Sequence, residues 1–172
     1  MNCNNISSFE NMIKLALDKL YNDDSYLFNI DTSSKIKKHV GERAIVFRFG
    51  LYFQQELDKY EFFNDFKLDC EYNRSGSNPK QLQIIGNRIF PDLILHKRGD
   101  NKNNLLVIEF KGWWNKNQIY DEKKIKEMVK EDGEFRYYEG YTILLEKNRE
   151  QVKPKPFHSK DRTFRFYRNS EY

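Results

Sequence analysis

The spacing of the apolar residues changes near residue 60, and that change fixes the class of fold open to this chain. Before it, apolar positions recur at helical intervals. Phe9, Met12, Ile13, Leu15, Ala16, Leu17 and Leu20 follow a Ser8 cap and predict a helix over 8–27. Ile36, Val40, Ala44, Phe47 and Leu51 step by three or four and predict a second helix over 34–59. Val46, Phe49 and Phe53 form another stripe on it, so burial on two faces is expected. After residue 60 the period becomes two. Phe66, Leu68, Cys70 and Tyr72 alternate with Lys67, Asp69, Glu71 and Asn73, a strand pattern. Residues 75–79 (Ser-Gly-Ser-Asn-Pro) are a loop, and further strands are expected over 88–97 and 104–111, joined by a turn at 98–101. The helical period returns over 119–132, with Gly133 expected as a left-handed cap. Strands follow over 141–146 and 163–167. Two helices, three strands, a helix and two strands make an α/β protein.

At 172 residues and 20.9 kDa the chain fits one domain, with no internal repeat and no linker to divide it. Its 14 Phe and 11 Tyr argue against disorder, which needs a shortage of large apolar groups. Cys3 and Cys70 form no paired pattern, and with only His39, His96 and His158 they exclude a zinc site of the usual spacing. No apolar run approaches the roughly 18 residues of a membrane span, and Met1–Ser8 is polar. A soluble, cytoplasmic protein with no membrane partner is the expectation.

The net charge of +4 is modest, but its distribution is not even. Acids dominate 1–34. Lys147, Arg149, Lys153, Lys155, Lys160, Arg162, Arg165 and Arg168 dominate the C-terminal stretch, with Phe157, Phe164, Phe166 and Tyr167 between them. Cations neutralise phosphates and rings stack on bases, so this end suits a polyanion. A solvated edge strand defended by lysines reads the same way, and composition leaves both open.

The chemistry is concentrated in two strands. Leu105, Val107, Glu109 and Lys111 share one face of the strand over 104–111, with the Glu109 and Lys111 α-carbons about 6.6 Å apart. A carboxylate and an ammonium closing so apolar a strand are costly to desolvate without a partner or a task. Asp92 repeats the oddity between Phe90-Pro91 and Leu93-Ile94-Leu95. If the two strands form a hairpin, both carboxylates reach one point. Paired carboxylates without cysteine or histidine suit a hard divalent cation such as Mg²⁺. A nearby lysine would hold or deprotonate a water, a set that matches metal-assisted phosphodiester hydrolysis.

Pro91-Asp92, residues 93–108, then Glu109-Phe110-Lys111 resembles the PD-(D/E)XK signature of the restriction-endonuclease-like nuclease superfamily. The wording of 71–74 (Glu-Tyr-Asn-Arg), 91–99 (Pro-Asp-Leu-Ile-Leu-His-Lys-Arg-Gly) and 104–111 (Asn-Leu-Leu-Val-Ile-Glu-Phe-Lys) is similar to short bacterial proteins of that superfamily. The resemblance covers about 34–146 and implies a mixed central β-sheet flanked by helices, an αβββαβ core, with an extra N-terminal helix and a basic C-terminal extension over 147–172. It implies Mg²⁺, or Mn²⁺, held by Asp92, Glu109, Glu42 and the Phe110 backbone carbonyl. Lys111 would orient or activate water, and Asp121, Lys124 or Gln118 would be auxiliary.

Each residue also has a plainer reading. Glu109 and Lys111 could be a structural ion pair, Glu42 a partner for Arg43, Arg74 or Arg88, and Asp121 with Lys124 a solvated helical pair. Trp113-Trp114 could stack on a base, though packing a loop onto the core is the commoner use. His96, on the Asp92 face, reads as a hydrogen-bonded neighbour. The function expected is metal-dependent cleavage of nucleic acid, DNA in the first place, and the resemblance implies products with a 5′-phosphate and a 3′-hydroxyl. Arg74, Lys153, Lys155, Arg162, Arg165 and Arg168 would hold the backbone. Cutting both strands would favour a homodimer. The alternative is a module that keeps the fold and binds nucleic acid or protein without cutting.

Overall fold

A computed structural model describes residues 6–29, 39–82, 86–115, 119–158 and 165–167. Ser8 opens helix α1 (Phe9–Asp23): its side chain accepts the Asn11 N–H at 3.3 Å, satisfying one of the helix's free donors. The helix buries Phe9, Met12, Ile13, Ala16, Leu17 and Leu20. Helix α2 (Glu42–Leu57) starts later than its apolar spacing predicts. Gly41 is extended, residues 39–41 are not helical, and 34–38 lie outside the described residues. Glu42 is therefore the first helical residue, where the helix dipole favours a carboxylate.

α2 is also buried on one face and not on two. Ile45, Val46, Phe49, Phe53 and Leu57 are buried, while Ala44 is exposed and Phe47 and Leu51 are 58% and 41% exposed. The buried stripe is Val46, Phe49 and Phe53; the one through Ala44, Phe47 and Leu51 has nothing packed on it among the described residues that would bury it.

Five strands form the central sheet: β1 (Lys67–Cys70), β2 (Leu93–His96), β3 (Asn104–Gly112), β4 (Glu139–Leu145) and β5 (Lys155–His158). Their spatial order is β5-β4-β3-β2-β1. All neighbours are antiparallel except β3 and β4, which run parallel and are joined through helix α3 (Ile119–Met128). Helices cover both faces. Leu106, Ile108 and Phe110 join the core beneath α1 and α2, with the Phe49 ring 4.9 Å from Phe110. Val107 and Ile94 face the other way, onto Ile125 and Met128 of α3. The architecture is mixed α/β, with three α-helices among the described residues.

Several boundaries differ from the sequence expectation for identifiable reasons. β1 stops at Cys70 because Glu71 takes a positive φ of 48°. The strand expected over 88–97 is broken at Phe90-Pro91: Asn87–Arg88 pairs with Gln81–Leu82 in a small hairpin, and β2 begins only at Leu93. Proline has no N–H to give a ladder. α3 ends at Met128, and Gly133 is not the left-handed cap; among the described residues Gly76, Gly86 and Gly99 are the glycines with positive φ.

β5 has no counterpart in the sequence reading, where it fell in a basic extension. Pro156 lies within it, which is tolerated because β5 occupies the sheet edge. Of the last expected strand, Arg165–Tyr167 is described and pairs with Ile6–Ser8, outside the central sheet, while 163–164 lie outside the described residues. Gly140 sets how closely α3 approaches: a β-carbon there would stand 2.6 Å from Ile125 Cγ2. No helix among the described residues is long and apolar enough to cross a membrane.

Candidate functional site

Asp92 and Glu109 meet at the end of the β2–β3 pair. The ladder ends at Leu93 opposite Ile108, so β3 runs on past β2 and leaves the Phe110 N–H without a strand partner on that side. Asp92 Oδ2 accepts it at 2.7 Å. The N–H and C=O of one strand residue leave on the same edge, so the Phe110 carbonyl also points past the end of β2. Burial pushes the Asp92 carboxyl up to about 6, against the Phe110 hydrogen bond and Lys124, which pull it down; Glu42 adds repulsion.

Glu109 and Lys111 project from the opposite face to Phe110, as the alternation of β3 requires. Glu109 is 3% exposed and lies under α3, whose Lys124 places its ammonium 2.5 Å from Glu109 Oε2. The other oxygen, Oε1, is buried with no hydrogen-bond partner. Burial first, then the nearby Asp92 and Asp121, hold this carboxyl well above the usual range despite Lys124. Lys111 stands 3.0 Å from Asp121 Oδ2 and 4.0 Å from Glu42 Oε1. Burial alone would lower its pKa, but Asp121, Glu42 and Asp92 outweigh it and raise it above the ordinary lysine value. It is an ammonium at neutral pH.

Glu42 reaches the site from the first turn of α2, on the far face of the sheet. Its Oε2 accepts the Gly112 N–H at 2.7 Å, one residue beyond Lys111. That bond and Lys111 engage it. Among the described residues no three acidic, histidine or cysteine side chains stand together as a metal-holding group. What the structure brings together is a pair, Asp92 and Glu109, with Lys111, Lys124, Asp121 and Glu42 around it. The pair suits a hard divalent cation: two oxygen donors crowded enough to repel, one of them carrying an orphaned oxygen.

A cleft of about 260 Å³ opens on the α3 side of this cluster. Glu109, Lys111 and Asp121 form part of its wall, Thr142 stands opposite Glu109 in the β3–β4 register, and Lys153 and Lys155 complete it. Asp92 does not line it. Lys155 is paired with Glu122 at 2.6 Å, whereas Lys153 is exposed. Arg74 is not part of this region. It sits in the hairpin Arg74–Pro79, which is tied through Ser75 to Asn101 in the turn beyond the other end of β2. Gln118, Arg162 and Arg168 lie outside the described residues, as does the Arg165 side chain.

The tryptophans pack inward. Trp114 stacks on His39 at 4.1 Å and covers Gly112, and Trp113 lies 6.3 Å from Phe28. His96 is the neighbour the sequence suggested, bonded to Asp69 at 2.9 Å. One contributor escaped the sequence reading: Thr142, a polar residue inside the apolar run Tyr141–Leu145, a signal that was present. Lys153 and Lys155, both in the basic set offered by the sequence, stand on the cleft wall. Comparisons of the chain with protein-family models, with curated proteins and with solved structures return no match.

Proposed function

We propose that the protein is a metal-dependent nuclease with a restriction-endonuclease-like fold, hydrolysing phosphodiester bonds of nucleic acid, DNA in the first place. The observation that carries this reading is the convergence of two desolvated carboxyls, Asp92 and Glu109, at the end of one strand pair, with Lys111 beside them and one Glu109 oxygen unpartnered. The order α2, β1, β2, β3, α3, β4, with β3 and β4 parallel, supports it.

Asp92, Glu109 and the Phe110 carbonyl would hold Mg²⁺ or Mn²⁺, which when bound stabilises charge developing on the phosphate. Asp92 is aimed by the Phe110 N–H, and Glu109 is fixed by strand β3. Lys111, kept charged by Asp121, Glu42 and Asp92, donates hydrogen bonds to orient the attacking water and the phosphate; as an ammonium it does not take the water's proton. Asp121 positions Lys111. Lys153 and Lys155, on the cleft wall, attract the backbone.

The test is cleavage of labelled duplex, branched and single-stranded DNA and of RNA with Mg²⁺ or Mn²⁺, beside Asp92→Ala and Lys111→Ala proteins. Cutting by the native chain, absent from both variants and in chelator, is the expected result. Equal cutting by all three would mean contamination and sink the reading. A second reading, a non-catalytic module, is favoured by one observation: Glu109, Lys111 and Glu42 are already engaged by groups of the chain itself. Under it, the native chain cuts nothing and binds no Mn²⁺ at Asp92 and Glu109.

A further inference from the structure

The Lys124–Glu109 ion pair is unlike a finished structural bridge. Both residues are buried, at 7% and 3% exposure. A buried pair is stable only when its remaining lone pairs are also satisfied. Glu109 Oε2 has the Lys124 ammonium at 2.5 Å, but Oε1, equally buried, has no hydrogen bond. Four acids, Asp92, Glu109, Asp121 and Glu42, crowd around Lys111 and Lys124.

We propose that Lys124 is a stand-in for the cation: its ammonium holds Glu109 in place until a divalent metal arrives, and the ion pair and metal binding exclude each other. The inference rests on the reading of Asp92 and Glu109 as metal ligands and adds what the chain does before they are engaged. An ammonium and a divalent cation repel, and they compete for the lone pairs of one carboxylate. Lys124 has another partner within reach on its own helix, since Asp121 lies one turn earlier and residues three apart share a face. Lys124 is thus a positioning residue. It keeps Glu109 from refolding away, and it weakens metal binding by the work of its own displacement.

Mn²⁺ titration of the full-length chain, followed by calorimetry or by the spin resonance of free Mn²⁺, tests this without any turnover. Lys124→Met keeps the stem and removes the charge, so it should bind Mn²⁺ at least tenfold more tightly than the native chain. Binding that is equal or weaker overturns the inference and leaves the metal reading standing. No binding by either protein overturns both. A second measurement needs no substitution: acetylation of lysines in the native chain, read by mass spectrometry. Lys124 should be labelled several-fold faster with Mn²⁺ than without, while unchanged labelling in the presence of bound Mn²⁺ overturns the inference even if Lys124→Met does not fold.

Discussion

Each end of strand β2 stands beside a carboxylate on a polar network, half-buried Asp69 of β1 at one and Asp92 with buried Glu109 at the other, and they solve the same problem in opposite ways. At the far end, Asp69 accepts from His96 Nε2 at 2.9 Å and from Arg98 Nε at 2.8 Å on one oxygen, and from Arg98 Nη2 on the other. Burial would raise its pKa, but Arg98 and His96 outweigh it and bring it below the usual carboxylate value. At the near end, Asp92 and Glu109 are pushed up, because burial and the neighbouring acids, Glu42 for Asp92 and Asp92 with Asp121 for Glu109, outweigh the lysines. A network built to hold a structure lowers the pKa of its acid. One that raises it leaves its acids short of positive charge, which is the property expected of a site that waits for a ligand.

Replacing Asp92 should break the comparison most sharply. Asp92→Asn keeps the shape and the Phe110 hydrogen bond but removes the charge, so it should cut cleavage by about a thousandfold, the several kcal/mol assigned to a metal-held phosphate. The same change should not destabilise the fold. A carboxyl raised from 3.8 to about 6 binds its proton more tightly folded than unfolded, so stability is highest below pH 4 and falls as pH rises to 6. Two pH units correspond to about 3 kcal/mol for this one group. Urea unfolding in chelator at pH 4 and pH 6.5 checks it: the native chain should lose more stability than Asp92→Asn across that interval. Equal pH dependence would mean Asp92 is not desolvated as described.

Asp69→Ala should do the reverse. It strips His96 and Arg98 of their acceptor, and a hydrogen-bonded charge of this kind contributes about 2 kcal/mol, less for the exposed Arg98 than for buried His96. Unfolding by urea at pH 7 should show that loss, while Mn²⁺ binding is unchanged. Because the folded pKa of Asp69 is depressed, its contribution is present above about pH 4 and disappears as pH falls through the lower folded value. Loss of Mn²⁺ binding in Asp69→Ala would show that the two ends are not independent.

Most of this division was legible in the chain. The alternation of Leu105, Val107, Glu109 and Lys111 put two charges on one face of an apolar strand, and Asp92 before Leu93-Ile94-Leu95 named their neighbour. Those signals survive because a strand has only two faces. What could not be read depends on contacts between distant segments. Lys124 was seen as one of a helical pair with Asp121, but the two reach different strand residues, Glu109 and Lys111. Glu42 was expected deep in a helix and is its first residue, because Gly41 is extended and the spacing of Val40 and Ala44 mimicked a helix that begins later. β5 was missed because an edge strand tolerates the prolines and lysines that mark a loop elsewhere.

The smallest expected effect separates the two ends by their cations. Lys153 borders the cleft beside Glu109 and Lys111, whereas Arg74 stands in a hairpin tethered to the turn beyond the far end of β2. Both are exposed, and both belong to the basic set the sequence offers to a polyanion. A phosphate contact adds about one unit to the slope of log affinity against log salt, with little dependence on sequence. Lys153→Ala should therefore lower that slope by about one and weaken binding of a DNA oligonucleotide several-fold, measured by anisotropy in Ca²⁺. Arg74→Ala should change neither, since Arg74 stands away from the cleft and the Lys80 bond to its carbonyl survives the substitution. If Arg74→Ala produced the larger change, the polyanion would lie across the Asp69 end, and the cleft beside Glu109 would not be where the backbone runs.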